Sequence, residues 1–362
     1  MELAWKQNWE ETKDNLTRWW QREGLAVGMW GATVARRPHE EASPPEKRHP
    51  RTSAEYYTDT RARARMNHQD MSLQSCPADM FPVANTDMGP GCLALFLGSE
   101  PEFMEDTVWM HPCPDADRPE EWAPIRLDPE NKWWKVHLET IEETLALARG
   151  KYLVGLPDLY GGIDTLGLMR GIENFMTDLI ERPDWVHEKT AEVDQALFDA
   201  VERIYGLIRL EDGSTVDQNF RLWAPGTTMH LQCDLSAMIS PAMFETFAVP
   251  FLKRQSEWFD YTMFHLDGPE CLKHLDMLLD IEEIDAIEWT PGPKVPDGGS
   301  PEWYDLYRKI LDAGKAVQPI DVWAHEVVPL LDAIGGKGVY ILGLFASEGE
   351  VEQVLKDVES FR

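Results

Sequence analysis

Three apolar runs between Thr228 and Gly292 constrain the chain most, because each ends abruptly in polar, ligand-capable residues: TTMHLQCDL, YTMFHLDG and IDAIEWTPG. On a strand, alternate side chains point to one face, so His230, Gln232 and Asp234 share a side, as do Met263, His265 and Asp267. Polar pairs at the ends of apolar strands are costly to bury alone and are normally paired, liganded or placed at a cleft. Three in succession predict a common mouth.

The same pattern recurs along the chain. Strand-like runs begin at Leu25 (LAVGMWGAT), Phe81 (FPVANTD), Lys151 (KYLVGLPD), the three runs above, Lys315 (KAVQPID) and Lys337 (KGVYILGL). Each is followed by an amphipathic helical stretch or a turn, for example SPAMFETFAVPFLKRQSEWF after the fourth and SEGEVEQVLKDVESF after the eighth. Eight alternating units predict an α/β fold of the (β/α)8 TIM-barrel class, with functional residues at the C-terminal strand ends. The 362 residues suit one domain spanning 1–362, since such barrels take roughly 250 residues before additions. One addition is an N-terminal helix within 1–23, with Trp5, Trp9, Leu16, Trp19 and Trp20 near one stripe. The other is an inserted loop or hairpin over 99–135, containing Trp109, His111, Cys113 and Trp122. A Pro-rich break, RRPHEEASPPEKRHP, precedes a helix expected over 53–69, Asp128 and Pro129 are expected to open the helix before the third strand, and YGGIDTLG reads as a loop.

Charge excludes some partners. With 34 basic against 64 acidic residues the formal charge is −30, which repels nucleic acid and anionic membrane surfaces. No apolar run approaches a membrane span, and the charged N-terminus carries no signal core, so a cytoplasmic location is expected. The five cysteines are scattered without a CxxC pair, which fits reduced thiols.

The runs LSAMISPAMFETFAVPFLKR, FHLDG and GVYILGLFASEGEVEQVLKD together resemble the uroporphyrinogen decarboxylase superfamily, including its methylcobalamin:thiol methyltransferase branch. The resemblance implies a (β/α)8 barrel and leaves three activities open. In the methyltransferase branch, zinc is held by a His-x-Cys at the end of the fifth strand and a Cys at the eighth. Those positions here read His265, Asp267 and Leu342-Gly343, so both thiolates are replaced. Histidine with carboxylates makes a harder site, suited to an oxygen substrate. A divalent metal such as zinc is the expected cofactor, with His265, Asp267, His230 and Glu245 as candidate ligands. The decarboxylases instead carry an essential Asp after the second strand, onto which Asp87 maps, and an arginine-rich segment, of which Arg36 and Arg37 are a late and partial counterpart.

The leading expectation is a corrinoid-linked methyltransferase acting on a small substrate, with a corrinoid protein or free corrinoid as partner and a homodimer implied by analogy. Asp87, Asp234 and Asp321 would then supply acid–base or hydrogen-bonding groups, Asp158 would bind substrate, and Trp30 and Trp289 would form aromatic walls. Decarboxylation of a porphyrinogen or other carboxylated substrate at Asp87 is the second expectation. A non-catalytic subunit that binds a corrinoid protein is the third.

Overall fold

The computed structural model describes residues 2–30, 33–34, 39, 52–105 and 107–362. Arg36 and Arg37 and most of the Pro-rich break lie outside the described residues. The scaffold strands are β1 (Leu25–Met29), β2 (Val83–Ala84), β3 (Leu153–Val154), β4 (Thr215–Asp217), β5 (Leu222–Ala224), β6 (Thr228–Gln232), β7 (Tyr261–Asp267), β8 (Ala286–Thr290), β9 (Ala316–Trp323) and β10 (Val339–Leu344). Six of them form one parallel sheet in the order β1-β10-β9-β8-β7-β6, while β2 pairs in parallel with β3. Helices occupy the crossovers, as parallel pairing requires, so the chain is a mixed α/β protein with a central parallel sheet.

Period-two alternation divides the sheet into two apolar faces. Val27, Leu231, Phe264, Ile287, Val317 and Ile341 pack outward in the large cluster shared with the helices. Ala26, Met263, Ala286, Ala316, Tyr340 and Leu342 form the inner cluster. Met263, Ala286 and Ala316 stand in one row across β7, β8 and β9. Small residues here make room for large ones: a Cβ on Gly28 would come within 2.9 Å of the Tyr340 hydroxyl oxygen.

The tryptophan-rich N-terminus forms the helix Trp9–Trp20, shorter than the expected stretch, and its apolar face belongs to the inner cluster through Trp9, Leu16, Trp19 and Trp20. Two of these indoles keep a hydrogen bond, Trp19 Nε1 donating to Val317 O at 3.3 Å and Trp20 Nε1 to Trp223 O at 2.9 Å. Two residues along the strands from the Met263 row, the inner positions become polar: Gln232, His265, Glu288 and Gln318 align across β6 to β9. The inner space is therefore apolar at one level and functional at the next.

All eight strand runs read from sequence contain a strand, but one feature was not anticipated. An antiparallel hairpin, β4 and β5, stands between β3 and β6. It joins β3 through a parallel bridge of Leu156 with Asp217, and meets β6 through side chains: Thr228 N donates to Thr215 Oγ1, and His230 N to Asp217 Oδ2. A similar link joins β1 to the segment before β2, where Val27 N donates to Asp79 Oδ2 and Asp79 N to Val27 O. Its carboxyl is raised by burial against the pull of Arg362, which contacts it at 2.9 Å.

Local boundaries also differ. The helix expected over 53–69 is two helices, Ser53–Thr58 and Thr60–Leu73, the second capped by Asp59, whose side chain accepts from Ala62 N. YGGIDTLG, read as a loop, leads into and forms much of the helix Gly162–Arg170. The long helix before β3 starts at Lys132 rather than at Pro129, because Asn131 Oδ1 accepts from both Trp133 N and Trp134 N. The inserted segment contains the antiparallel pair Glu100–Phe103 and Val108–His111. It is tied down by Arg170, which bonds Ala116 O and Asp178 rather than any mouth carboxylate.

The indole plug should contribute heavily to stability. Trp20→Ala is expected to cost about 3–5 kcal/mol in urea unfolding. Trp109→Ala, at a 62% exposed position, should change stability by less than about 0.5 kcal/mol.

Candidate functional site

Above the polar row lies a cleft of about 460 Å³ whose walls include Trp30, Asn85, Asp158, Arg221, Asp234 and His265. Its floor is set by β7, which ends in His265 and Asp267 on the inner face. His265 Nδ1 is held by Glu288, the adjacent residue on β8. Glu288 is fully buried and its other oxygen accepts from Thr290 Oγ1 at 2.7 Å. Burial alone would lower the His265 pKa, but Glu288, reinforced by Asp234 and Asp267, carries it above the ordinary value.

Donor atoms from Asp234, His265 and Asp267 all lie within 4.8 Å of one another. With Nδ1 committed to Glu288, Nε2 is the imidazole atom left for a ligand, which is the carboxylate–histidine arrangement that orients metal-binding imidazoles. One nitrogen and two carboxylates fit a divalent ion of intermediate hardness, and three protein donors leave coordination positions for substrate. The donor set thus fits a catalytic metal centre.

Asp234 is positioned by a residue absent from the expectations. Asp164, on the helix Gly162–Arg170, accepts from Asp234 N at 2.7 Å and Leu235 N at 3.0 Å. Burial, then the Asp234 charge, raises Asp164 to about 7. Asp234 itself keeps an exposed surface, yet loss of hydration in the concave mouth raises it too, against the opposing pull of His265.

A second acid–base group stands beside the first. His230 is buried, with Nδ1 2.6 Å from Asp217 Oδ2 and Nε2 3.3 Å from Asp158 Oδ1, the latter a close charge contact rather than a well-angled hydrogen bond. Burial opposes its protonation, but the two carboxylates lift its pKa well above the ordinary value. Asp158 N donates to Asp87 Oδ1 at 2.6 Å. With its amide oriented to satisfy both neighbours, Asn219 donates to Asp87 Oδ2 and accepts from Asp158 N, each at 3.1 Å. Burial, then the Asp158 charge, raises Asp87 to about 7.

The expected site residues therefore separate. His265, Asp267 and Asp234 come together as a donor group, and Asp158, Asp87 and His230 form the neighbouring network. His230 is engaged by carboxylates on both nitrogens, which suits a proton carrier more than a metal ligand. Glu245 is exposed on the helix Pro241–Phe247 and does not belong to the donor group. Trp30 lines the cleft. Trp289 does not, because strand alternation turns it outward, where it is fully buried against Trp303 at 4.9 Å between rings. Asp321 is the extra residue of a bulge in β9, with φ 54°, and is raised by burial and by Asp297 rather than by the mouth acids.

The hairpin turn after β4 supplies residues that the sequence reading passed over: Asp217, Gln218, Asn219, Phe220 and Arg221. Asp217 Oδ1 accepts from Asn219 N at 3.0 Å, an Asx turn whose signal is the D-x-N within TVDQNFRLW.

No family model matches the chain, and no curated protein matches it. Among solved structures it is similar to a methyltransferase from Methanosarcina mazei, with a TM-score of 0.58 and 12% identity over 97% of this chain and 98% of that one. At that identity the likeness shows a shared fold.

The near-neutral Asp87 gives a pH prediction. A carboxyl raised from 3.8 to about 7 keeps its proton in the folded state where the unfolded chain has lost it. Its contribution to stability therefore falls as pH rises across that window and is level above it. Carboxyl carbon NMR should show, among the carboxyls titrating near 7, one resonance that disappears in Asp87→Asn, and Asp158→Asn should lower the Asp87 value without restoring the ordinary one, because burial is the larger cause.

Proposed function

We propose that this protein is a metal-dependent enzyme that moves a methyl group between a small oxygen-bearing substrate and a corrinoid, free or held by a partner protein. The observation that carries this reading is the Asp234–His265–Asp267 group with Glu288 behind it, at the position where the resemblance implies a metal. The fold shared with the Methanosarcina mazei methyltransferase supports it. In the same reading the six-stranded sheet, the β2–β3 pair and the β4 bridge complete a barrel ring, with the hairpin inserted between its third and fourth staves.

Bound to these residues, a divalent ion such as zinc would act as a Lewis acid on the substrate oxygen. His265 and the two aspartates would fix that oxygen over the polar row, while Glu288 keeps the imidazole in one tautomer. In demethylation the C–O bond breaks with its electron pair going to oxygen, and a cobalt(I) corrinoid donates the pair that forms the Co–CH3 bond. The departing oxygen then takes a proton. Asp87, neutral up to about pH 7, or His230, whose Nε2 faces the Asp158 carboxylate, would supply it. In the reverse direction the same group removes the proton.

A second reading, metal-free decarboxylation at Asp87, is supported by that residue's raised pKa. Coproporphyrinogen formation by metal-stripped protein would favour it over methyl transfer. The direct test is to measure bound metal in purified protein and the appearance of methylcobalamin from cob(I)alamin and methyl ethers. His265→Ala is expected to lose metal and to slow transfer at least about 100-fold, the lower range for losing a group that orients the reacting atoms. Folded His265→Ala with full metal content and unchanged turnover would remove the assignment.

A further inference from the structure

The two walls of the cleft have opposite hydrogen-bonding character. On the Asp234 and His265 side, carboxylate acceptors predominate. On the other side, donors lack acceptors among the described residues. Arg221 lines the cleft, and its guanidinium forms no hydrogen bond or ion pair among the described residues. Gln218 is 6% exposed; its Oε1 accepts from Thr86 N and Oγ1, each at 3.3 Å, which leaves Nε2 buried without a partner. Behind this wall Arg63 is 2% exposed, and among the described residues its Nε and Nη1 are unpartnered and only Nη2 is bonded, to Asn85 Oδ1 at 3.3 Å. Tyr56 and Tyr57 flank its guanidinium, each ring centre 5.1 Å away. Asp87 feels the Arg63 charge, but no ion pair joins them among the described residues.

An arginine buried without an acceptor is costly, and a buried amide donor adds to that cost. An anion in the cleft answers Arg221 and Gln218 and is attracted by the Arg63 charge, whereas an apolar or cationic group answers none of them. Arg221 also sits at φ 54°, a conformation that side-chain-bearing residues adopt at a cost and that tends to be kept where it serves a site. The turn closed by Asp217 holds it there while the same aspartate binds His230. The donor wall and the acid–base network thus share one support.

We propose that the substrate of this cleft carries a carboxylate, gripped by Arg221 with Gln218 and drawn in by the Arg63 charge behind Asn85. The opposite end then lies towards His265 and Asp234. Building on the methyl-transfer reading, this makes the substrate class a small methoxy carboxylate rather than a neutral methyl ether.

Ligand-observed NMR titration of the full chain, without corrinoid, tests the inference separately from turnover. Methoxyacetate is compared with 2-methoxyethanol, which keeps the methyl ether and lacks the carboxylate. Wild-type protein should bind methoxyacetate saturably and at least about tenfold more tightly, as a charge-assisted arginine contact provides. Arg221→Asn, compatible with the positive φ, should abolish the preference, and Arg221→Lys should restore part of it. Equal binding of the two ethers, no saturable binding of methoxyacetate, or a preference unchanged in Arg221→Asn would overturn the proposal. Carboxylate preference without methyl transfer would instead strike the reaction assigned above, and methyl transfer without that preference would strike this inference alone.

Discussion

The hydrogen bond between Glu288 and His265 is the contact on which the mouth depends. A fully buried carboxylate next to a row of strands is tolerable only when its charge is answered, and His265 answers it from the neighbouring strand. The bond fixes the imidazole plane, and thereby which nitrogen faces Asp234 and Asp267. It exists because β7 and β8 are parallel and in the register that sets His265 opposite Glu288. A slip by one residue would send both outward among the helices.

Clustered carboxylates would repel one another in so acidic a chain, yet most of those near the cleft hold specific neighbours. Asp164 accepts two backbone N–H groups, Asp217 serves a turn and a histidine, and Asp87 holds the backbone of Asp158. These acids act as structural struts before they act as chemistry. Their raised pKa values follow from that placement: desolvation is the first cause for Asp87, Asp164 and Asp234 alike. A cation at the Asp234–His265–Asp267 group would relieve the remaining repulsion, and the donor wall around Arg221 supplies the complementary field on the other side.

Much of this was legible because strand alternation is strict. The pattern in YTMFHLDG and IDAIEWTPG located His265 and Asp267 on the inner face, and the strand positions followed from apolar runs. The same rule, applied to Trp289, sends it outward, and counting from Glu288 would have shown it. Asp321 was harder to place, since a bulge adds one residue and breaks the alternation at Ile320. Asp217 and Arg221 were missed for another reason: their segment is short and outside the repeating unit, so no period identifies it and only the D-x-N turn signal marks it. Asp164 looked like part of a loop because the glycines before it mask a helix start.

The hairpin is attached to its neighbour β6 largely through the side chains of Thr215 and Asp217 instead of a continuous backbone ladder. Such a joint leaves the residues at the turn free to vary while the strands keep their register. Duplicated copies of this gene could therefore diverge in what they accept by changing four consecutive positions, 218–221, while Asp217 keeps the hairpin joined to the sheet.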